Sequence, residues 1–345
     1  MNQDWQNFLM QHGATIEAGV VQRFGDTAAE LNATAQGTIL CDLSQFGTLR
    51  ISGEEAQTFL QNLLSNDIRE ASASRAQLSS LNSPKGRMQA TMVIWRDGGD
   101  YLLQLPRVLC EPIRKKLSMY VLRAKVKISD AGDEVVSLGL CGKAAQEILG
   151  KQFGELPQLP LGFISAGQIG VMKISGTRWQ VNTSPQQAQT LWQTLSQHAQ
   201  PVGSVCWDWL NIRAGIPVIL PQTQEHFVPQ MANLDIIGGV SFKKGCYPGQ
   251  EIVARMQYLG KLKRRIYLAH IDGDTVPQPG DELFSADMEG QPSGMIVNAA
   301  PAPSGGHDVL AVLQISSKKT QTVHWKSLQG AALKFLPPPY PLPDS

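Results

Sequence analysis

The chain reads as an α+β protein built from three parts. Its first two-thirds carries two successive runs of strand, helix, paired strands and helix, the pattern of split β-α-β units with helices on one face of an antiparallel sheet. Its last quarter changes to short β-type runs at close spacing, punctuated by Pro and Gly, which predicts a small barrel or sandwich. A length of 345 residues also exceeds what one ordinary core organises.

Residues 2–12 place Trp5, Phe8 and Leu9 on one side of a short helix, and a polar stretch to Gly37 follows, so residues 1–36 are expected as an N-terminal extension. A strand pattern begins at Thr38, with Leu49 and Ile51 alternating against Thr48, Arg50 and Ser52. Gly53-Glu54-Glu55 then opens a helix carrying Ala56, Phe59, Leu60, Leu63 and Leu64. Strand-like runs follow at 77–81, 88–95 and 101–105, then a helix near 107–122 and a strand at 125–129. The order returns with a strand at 135–140, a helix at 142–149, a hairpin of 170–175 and 178–182 across Gly176, and a helix at 184–198. The two halves are not visibly alike in sequence.

A further helix ends at Gly215-Ile216-Pro217, and another is expected after Pro248, whose fixed φ and missing N–H suit a first helical position. Ile252, Val253, Met256 and Leu259 give that helix an apolar stripe, and Gly260 stops it. The β-type runs are 265–271, 282–285, 294–299 and 309–315, followed by a Pro-rich tail at 337–345 expected to lie over the last domain. The division is thus 37–133 with 203–258, 134–202, and 259–336.

A formal net charge of +1 supplies no field to draw in nucleic acid or an acidic membrane, so any such partner has to be met by a local patch. Lys261-Leu262-Lys263-Arg264-Arg265 is dense, but a basic run of that length is common on solvated faces, and direct nucleic-acid binding is not expected. No secretory signal and no membrane span are read. Five cysteines, odd in number and without a Cys-x-x-Cys pair, point to a reducing cytoplasm and deny the chain a local zinc or iron-sulfur cradle.

The segment Lys243-Lys244-Gly245-Cys246-Tyr247-Pro248-Gly249-Gln250-Glu251 sets a lone cysteine among lysines, just before a helix. A helix N-terminus and two lysines both favour thiolate over thiol, which makes a cysteine nucleophilic or metal-competent. A small buried hydrophobe is the alternative for any free cysteine. Trp207 and Trp209 stand two apart on a helix, so only one faces the core squarely, and the other is available to stack on a flat heterocycle. Gln230 and Asn233 lie in a loop with apolar anchors, where amides orient a polar ring or satisfy their own backbone. No Walker loop, dinucleotide fingerprint, nucleophile elbow or metal-spaced histidines occur.

The cysteine segment resembles the K-G-C-Y-x-G-Q-E signature of the YgfZ family of folate-binding proteins, relatives of the glycine cleavage system aminomethyltransferase. Asn211-Ile212-Arg213-Ala214-Gly215-Ile216-Pro217, Phe227-Val228-Pro229-Gln230 with Asn233-Leu234, Leu60-Gln61 with Asn66-Asp67, and Lys85-Gly86-Arg87 support the resemblance over residues 38–336. It implies two ferredoxin-like modules and a C-terminal β-barrel around a central folate site. It further implies tetrahydrofolate as cofactor, a part in maturing or repairing iron-sulfur enzymes, among them ones that thiolate tRNA, and such enzymes or their assembly factors as partners.

By position it assigns folate binding to Trp207 and to Phe46, where relatives have a second tryptophan, and functional weight to Cys246. The aminomethyltransferase's catalytic aspartate is replaced here by the run Met88-Gln89-Ala90, and a pterin-contacting glutamate by Arg213. These departures leave aminomethyl or one-carbon transfer as the alternative reading.

Overall fold

The computed structural model describes residues 1–258 and 260–343, so Leu259, expected in the apolar stripe, lies outside the described residues. The chain divides into two compact units. The first comprises Met1–Phe59, Ile68–Gln77 and Met92–Trp207; the second comprises Leu60–Asp67, Leu78–Thr91 and everything from Asp208 onward.

The chain opens with α1 (Gln3–Gln11), the hairpin β1 (Thr15–Glu17) and β2 (Val20–Arg23), and α2 (Thr27–Gln36). Asn2 caps α1 and Asp26 caps α2 by accepting from backbone N–H groups of the first turn. Helix α1 buries Trp5, Phe8 and Leu9 in one core with Leu40, Leu138, Val181 and Trp192. The Trp5 indole N–H also donates to buried Asp42 at 2.8 Å, and burial raises the Asp42 carboxyl above its usual range. Buried Glu30 on α2 accepts from the N–H groups of Phe24, Gly25 and Gly203 at 2.6 to 2.8 Å, tying the N-terminal segment to residue 203.

Next come β3 (Ile39–Asp42), β4 (Phe46–Ser52), α3 (Ala56–Gln61), β5 (Gln77–Asn82), β6 (Met88–Asp97), β7 (Asp100–Pro106), α4 (Arg107–Val121) and β8 (Lys127–Asp130). They are followed by β9 (Val136–Cys141), α5 (Ala145–Phe153), β10 (Phe163–Ala166), β11 (Ile169–Ser175), β12 (Arg178–Thr183), α6 (Pro185–Leu195), β13 (Gln200–Val202) and α7 (Ser204–Arg213). The first sheet has the order β5-β6-β7-β4-β8, and the second β10-β11-β12-β9-β3-β13. Strand β3 joins the second sheet, antiparallel to β9 and parallel to β13.

The second unit adds α8 (Gln250–Tyr258), β14 (Arg264–Ile271), β15 (Glu282–Phe284), β16 (Gly294–Pro301), β17 (His307–Gln314), α9 (Ile315–Thr320), β18 (His324–Trp325) and β19 (Lys334–Phe335). These six strands, ordered β18-β15-β16-β17-β14-β19, form one sheet that curls over a core of Ala269, Ile271, Leu283, Ile296, Val309 and Leu313. A bulge in β16 between Ile296 and Asn298 supplies local bending. The Pro-rich tail docks back on the same unit: the Tyr340 hydroxyl donates to the Gly215 carbonyl at 2.9 Å and accepts from Asn233 at 3.3 Å.

Candidate functional site

The cysteine loop meets two other stretches of the second unit, around residues 61–65 and 83–86, and the amide loop at 225–235 braces the neighbouring hairpin and helix. Helix α8 starts at Gln250, not at Pro248. Tyr247 to Gln250 form a turn in which the Gln250 N–H bonds the Tyr247 carbonyl at 3.1 Å, with Pro248 second and Gly249 third at φ +77°. That is the residue order a type II turn demands, and it outcompetes the helical start expected for Pro248. Cys246 is therefore set apart from the helix N-terminus by a full turn.

Gly249 meets a second glycine turn. Between β5 and β6, Gly86 has φ +70° and its N–H bonds the Ser83 carbonyl at 2.8 Å. A Cβ on Gly249 would lie 2.5 Å from the Gly86 backbone and from the Ser83 carbonyl oxygen. Two backbones in contact leave no room for any side chain.

The next link runs from the same hairpin to the amide loop. Arg87 donates to the His226 carbonyl at 2.6 Å, and Met88 exchanges backbone bonds with Phe227 and Glu225 at 2.8 Å each. Gln89, where the resemblance leaves no carboxylate, receives one from another segment: its amide donates to Glu225 Oε1 at 2.5 Å. Nothing in the sequence spacing reveals that meeting, since the residues are 136 apart.

Further along that loop, buried Gln230 donates to the Val253 carbonyl in α8 at 2.7 Å, while its own amide oxygen is buried without a partner. Asn233 caps a short helical turn in the left-handed region at φ +58°. Its amide is spoken for: Nδ2 donates to the Ile266 carbonyl and Tyr340, and Oδ1 accepts from Arg265, which forms a two-pronged ion pair with Asp235 at 2.7 and 2.9 Å.

Lys244 ties the loop to the stretch around residues 61–64. It is only 6 % exposed, and its ammonium donates to the carbonyls of Gln61 and Leu64 and lies 4.8 Å from the Tyr247 ring centroid. Lys244, read from the sequence as positive charge beside Cys246, also holds these carbonyls. Neighbouring bonds reinforce the arrangement: Asn66 and Ser65 donate to the carbonyls of Gly238 and Gly239 at 2.8 and 2.7 Å. Tyr247 is buried, which pushes its hydroxyl up to about 12.

Between these two buried side chains Gly245 and Cys246 are exposed, as are Lys243 and Glu251. The other four cysteines are buried, and burial pushes the Cys110 thiol up to about 12. Among the described residues, no group of three or more His, Cys, Asp or Glu side chains is placed to hold a metal ion.

Phe46 and Trp207 belong to the first unit. Phe46 is half-buried at the start of β4, beside a small polar cleft lined by Trp5, Asp42 and Arg107. Trp207 is 3 % exposed, its indole flat on Gly139 of β9, with the Arg178 guanidinium 4.8 Å from its ring centroid. Burial drops the Arg178 pKa to about 10. Arg178 was not singled out from sequence, since one arginine in a hairpin strand carries no signal of burial.

A Cβ on Gly139 would come within 2.5 Å of the indole. Gly139→Ala is expected to displace Trp207 and shift its emission to the red, with a loss of about 1 to 3 kcal/mol in stability. An unchanged spectrum would disprove the close contact. Arg213 and Trp209, in the second unit, both reach Asp308, at 3.5 and 2.9 Å, and His270 contacts the same carboxylate at 2.9 Å.

With that geometry in place, comparison with known proteins supplies the lineage. The family described as the GCVT N-terminal domain matches residues 10–244. A protein of Colwellia psychrerythraea named tRNA-modifying protein YgfZ is 33% identical over 244 residues, covering 70% of this chain and 75% of the relative. A protein of the same name from Shigella boydii is 29% identical over 307 residues, covering 88% and 94%. The solved glycine cleavage system aminomethyltransferase T of Bartonella henselae superposes with a TM-score of 0.80 over 98% of this chain and 97% of that one, at 17% identity, which shows a common fold. The chain belongs to the YgfZ family, built on the GCVT domain and related to the aminomethyltransferase of glycine cleavage.

Proposed function

We propose that this chain is a tetrahydrofolate-binding accessory protein that takes part in tRNA modification by supporting the maturation or repair of iron-sulfur enzymes. The observation that carries the reading is the contrast within the signature: Lys244 and Tyr247 are buried as anchors, while Cys246 between them is exposed. A thiol held on a clamped loop is available to a partner without the loop having to order first. Relatives named for tRNA modification support the same direction.

Two ferredoxin-like modules and a closed C-terminal barrel belong to this reading, with Gln230 and Asn233 of the second unit as residues that would hold folate. Gln230 fits that role, because its buried amide oxygen has no partner and the pterin presents N–H groups. Asn233 fits as a positioning residue, its own amide being engaged. The bound folate would supply one-carbon chemistry; the chain's contribution is to bind it and to present Cys246.

In a strain lacking the gene, Cys246→Ala should abolish support of iron-sulfur enzyme activity while leaving tetrahydrofolate affinity, followed by Trp207 fluorescence, within about twofold of wild type. Normal enzyme activity with that variant would refute the assignment.

One observation favours the alternative, an aminomethyl or one-carbon transferase. The Glu225 carboxylate reaches Gln89, beside the Met88-Gln89-Ala90 run. Turnover of candidate methylamines to methylene-tetrahydrofolate by purified protein, lost in Glu225→Gln, would establish it in place of the accessory role.

A further inference from the structure

We propose that the solvent face of α4, with the turn that leads into β8, is a docking surface for a folded RNA of the tRNA class. Residues 114–127 hold six basic side chains and no acidic one, in a chain whose net charge is only +1. Helix α4 turns Leu109, Cys110, Ile113 and Leu117 into the core. Arg114, Lys115 and Lys116 thereby fall towards the other side, and Arg123, Lys125 and Lys127 continue the basic run through the turn onto the edge strand β8.

Local pairing accounts for half of this charge. Arg114 and Lys115 share Glu111 at 2.8 and 3.3 Å, and Lys125 meets Glu54 at 2.8 Å. Lys116, Arg123 and Lys127 have no carboxylate partner among the described residues. The helix dipole does not explain them either, because the last turn of α4 contains no basic residue.

Among these cations three apolar side chains face water: Met119 is 67 % exposed, Tyr120 40 % and Leu122 89 %. Leu122 is held at φ +45°, where a glycine would be unstrained and a leucine is not. A strained, almost fully exposed leucine contributes nothing to the core beneath it.

Charge decides the occupant. Cations spread from a helix across a turn to a strand edge match a run of phosphates, and the Tyr120 ring offers a face on which an unpaired base stacks, with Met119 and Leu122 flanking it. Three apolar side chains are few for a lipid surface. The partner's class rests on the tRNA role proposed above, but the surface needs neither folate nor Cys246.

Fluorescence anisotropy of labelled bulk tRNA, titrated with the purified chain at 50 to 200 mM NaCl, tests the proposal. The triple variant Lys116→Glu, Arg123→Glu, Lys127→Glu should bind at least about tenfold more weakly and lower the slope of log K against log salt by about three. Tyr120→Ala should weaken binding about tenfold with the slope unchanged. All these residues are exposed or half-buried, and thermal melting checks that each variant is folded. Cys246→Ala should bind tRNA as wild type does, which separates this proposal from the accessory-protein reading. Absence of tRNA binding at 50 mM NaCl, undiminished binding by the triple variant, or binding to phosphatidylglycerol vesicles in preference to tRNA would overturn it.

Discussion

Gly249→Ala is expected to lower stability by about 3 kcal/mol, the sum of roughly 1 to 2 for a left-handed non-glycine residue and 1 to 3 for overpacking. The added methyl has nowhere to go, since Gly249 is at φ +77° and its Cβ would lie 2.5 Å from main-chain atoms of Gly86 and Ser83. A flexible side chain would yield; two backbones tied into their own turns do not. Gly245→Ala, four residues earlier, has nothing within 4 Å of the new Cβ and should change stability by less than about 0.5 kcal/mol. Equilibrium denaturation of the pair makes the measurement. Equal midpoints would mean that the two glycine turns do not touch in solution.

Lys244→Met should produce a loss of similar size by a different route. Removing the ammonium takes away the donor shared by the Gln61 and Leu64 carbonyls, and a buried acceptor left unsatisfied, as at Leu64, costs about 1 to 3 kcal/mol. Methionine keeps most of the chain's volume, so packing changes little. Lys243→Met, on an exposed lysine one residue away, should be near neutral. Denaturant midpoints and limited proteolysis report the two effects together: in Lys244→Met, cleavage within residues 240–249 should speed up. A variant as resistant as wild type would show that the loop is held without this lysine.

Legibility from the sequence followed burial. Leu49 and Ile51 announce β4 because both are fully buried while Arg50 and Ser52 between and after them are only half-buried, whereas β5, β6 and β7 are buried along nearly their whole length and show no such alternation. Helix α2 was invisible because Thr27-Ala28-Ala29-Glu30-Leu31 carries a single large apolar residue, its attachment being made by the Glu30 carboxylate and backbone N–H groups. Strand β3 begins the expected first module yet pairs with β9 and β13, a tertiary choice that no local pattern encodes.

Within the signature segment, tertiary contacts give Pro248 and Lys244 parts that their local sequence does not announce. Pro248 serves a turn, not a helix start, and Lys244 bonds two backbone carbonyls. Both outcomes depend on segments far away in sequence, as does the meeting of Glu225 with Gln89.

That distance bears on how the protein is made. Lys244 bonds to carbonyls 183 and 180 positions before it, so during synthesis the stretch Leu60–Asp67 leaves the ribosome well before its partner exists. The backbone that anchors the cysteine loop has to wait in the nascent chain while most of the first unit is being translated. Such long-range closure is slow to form, so refolding from denaturant should regain the first unit's tryptophan environment before the loop around Cys246 becomes resistant to protease. The exposed thiol would then be presented correctly only on chains whose synthesis had passed this late checkpoint.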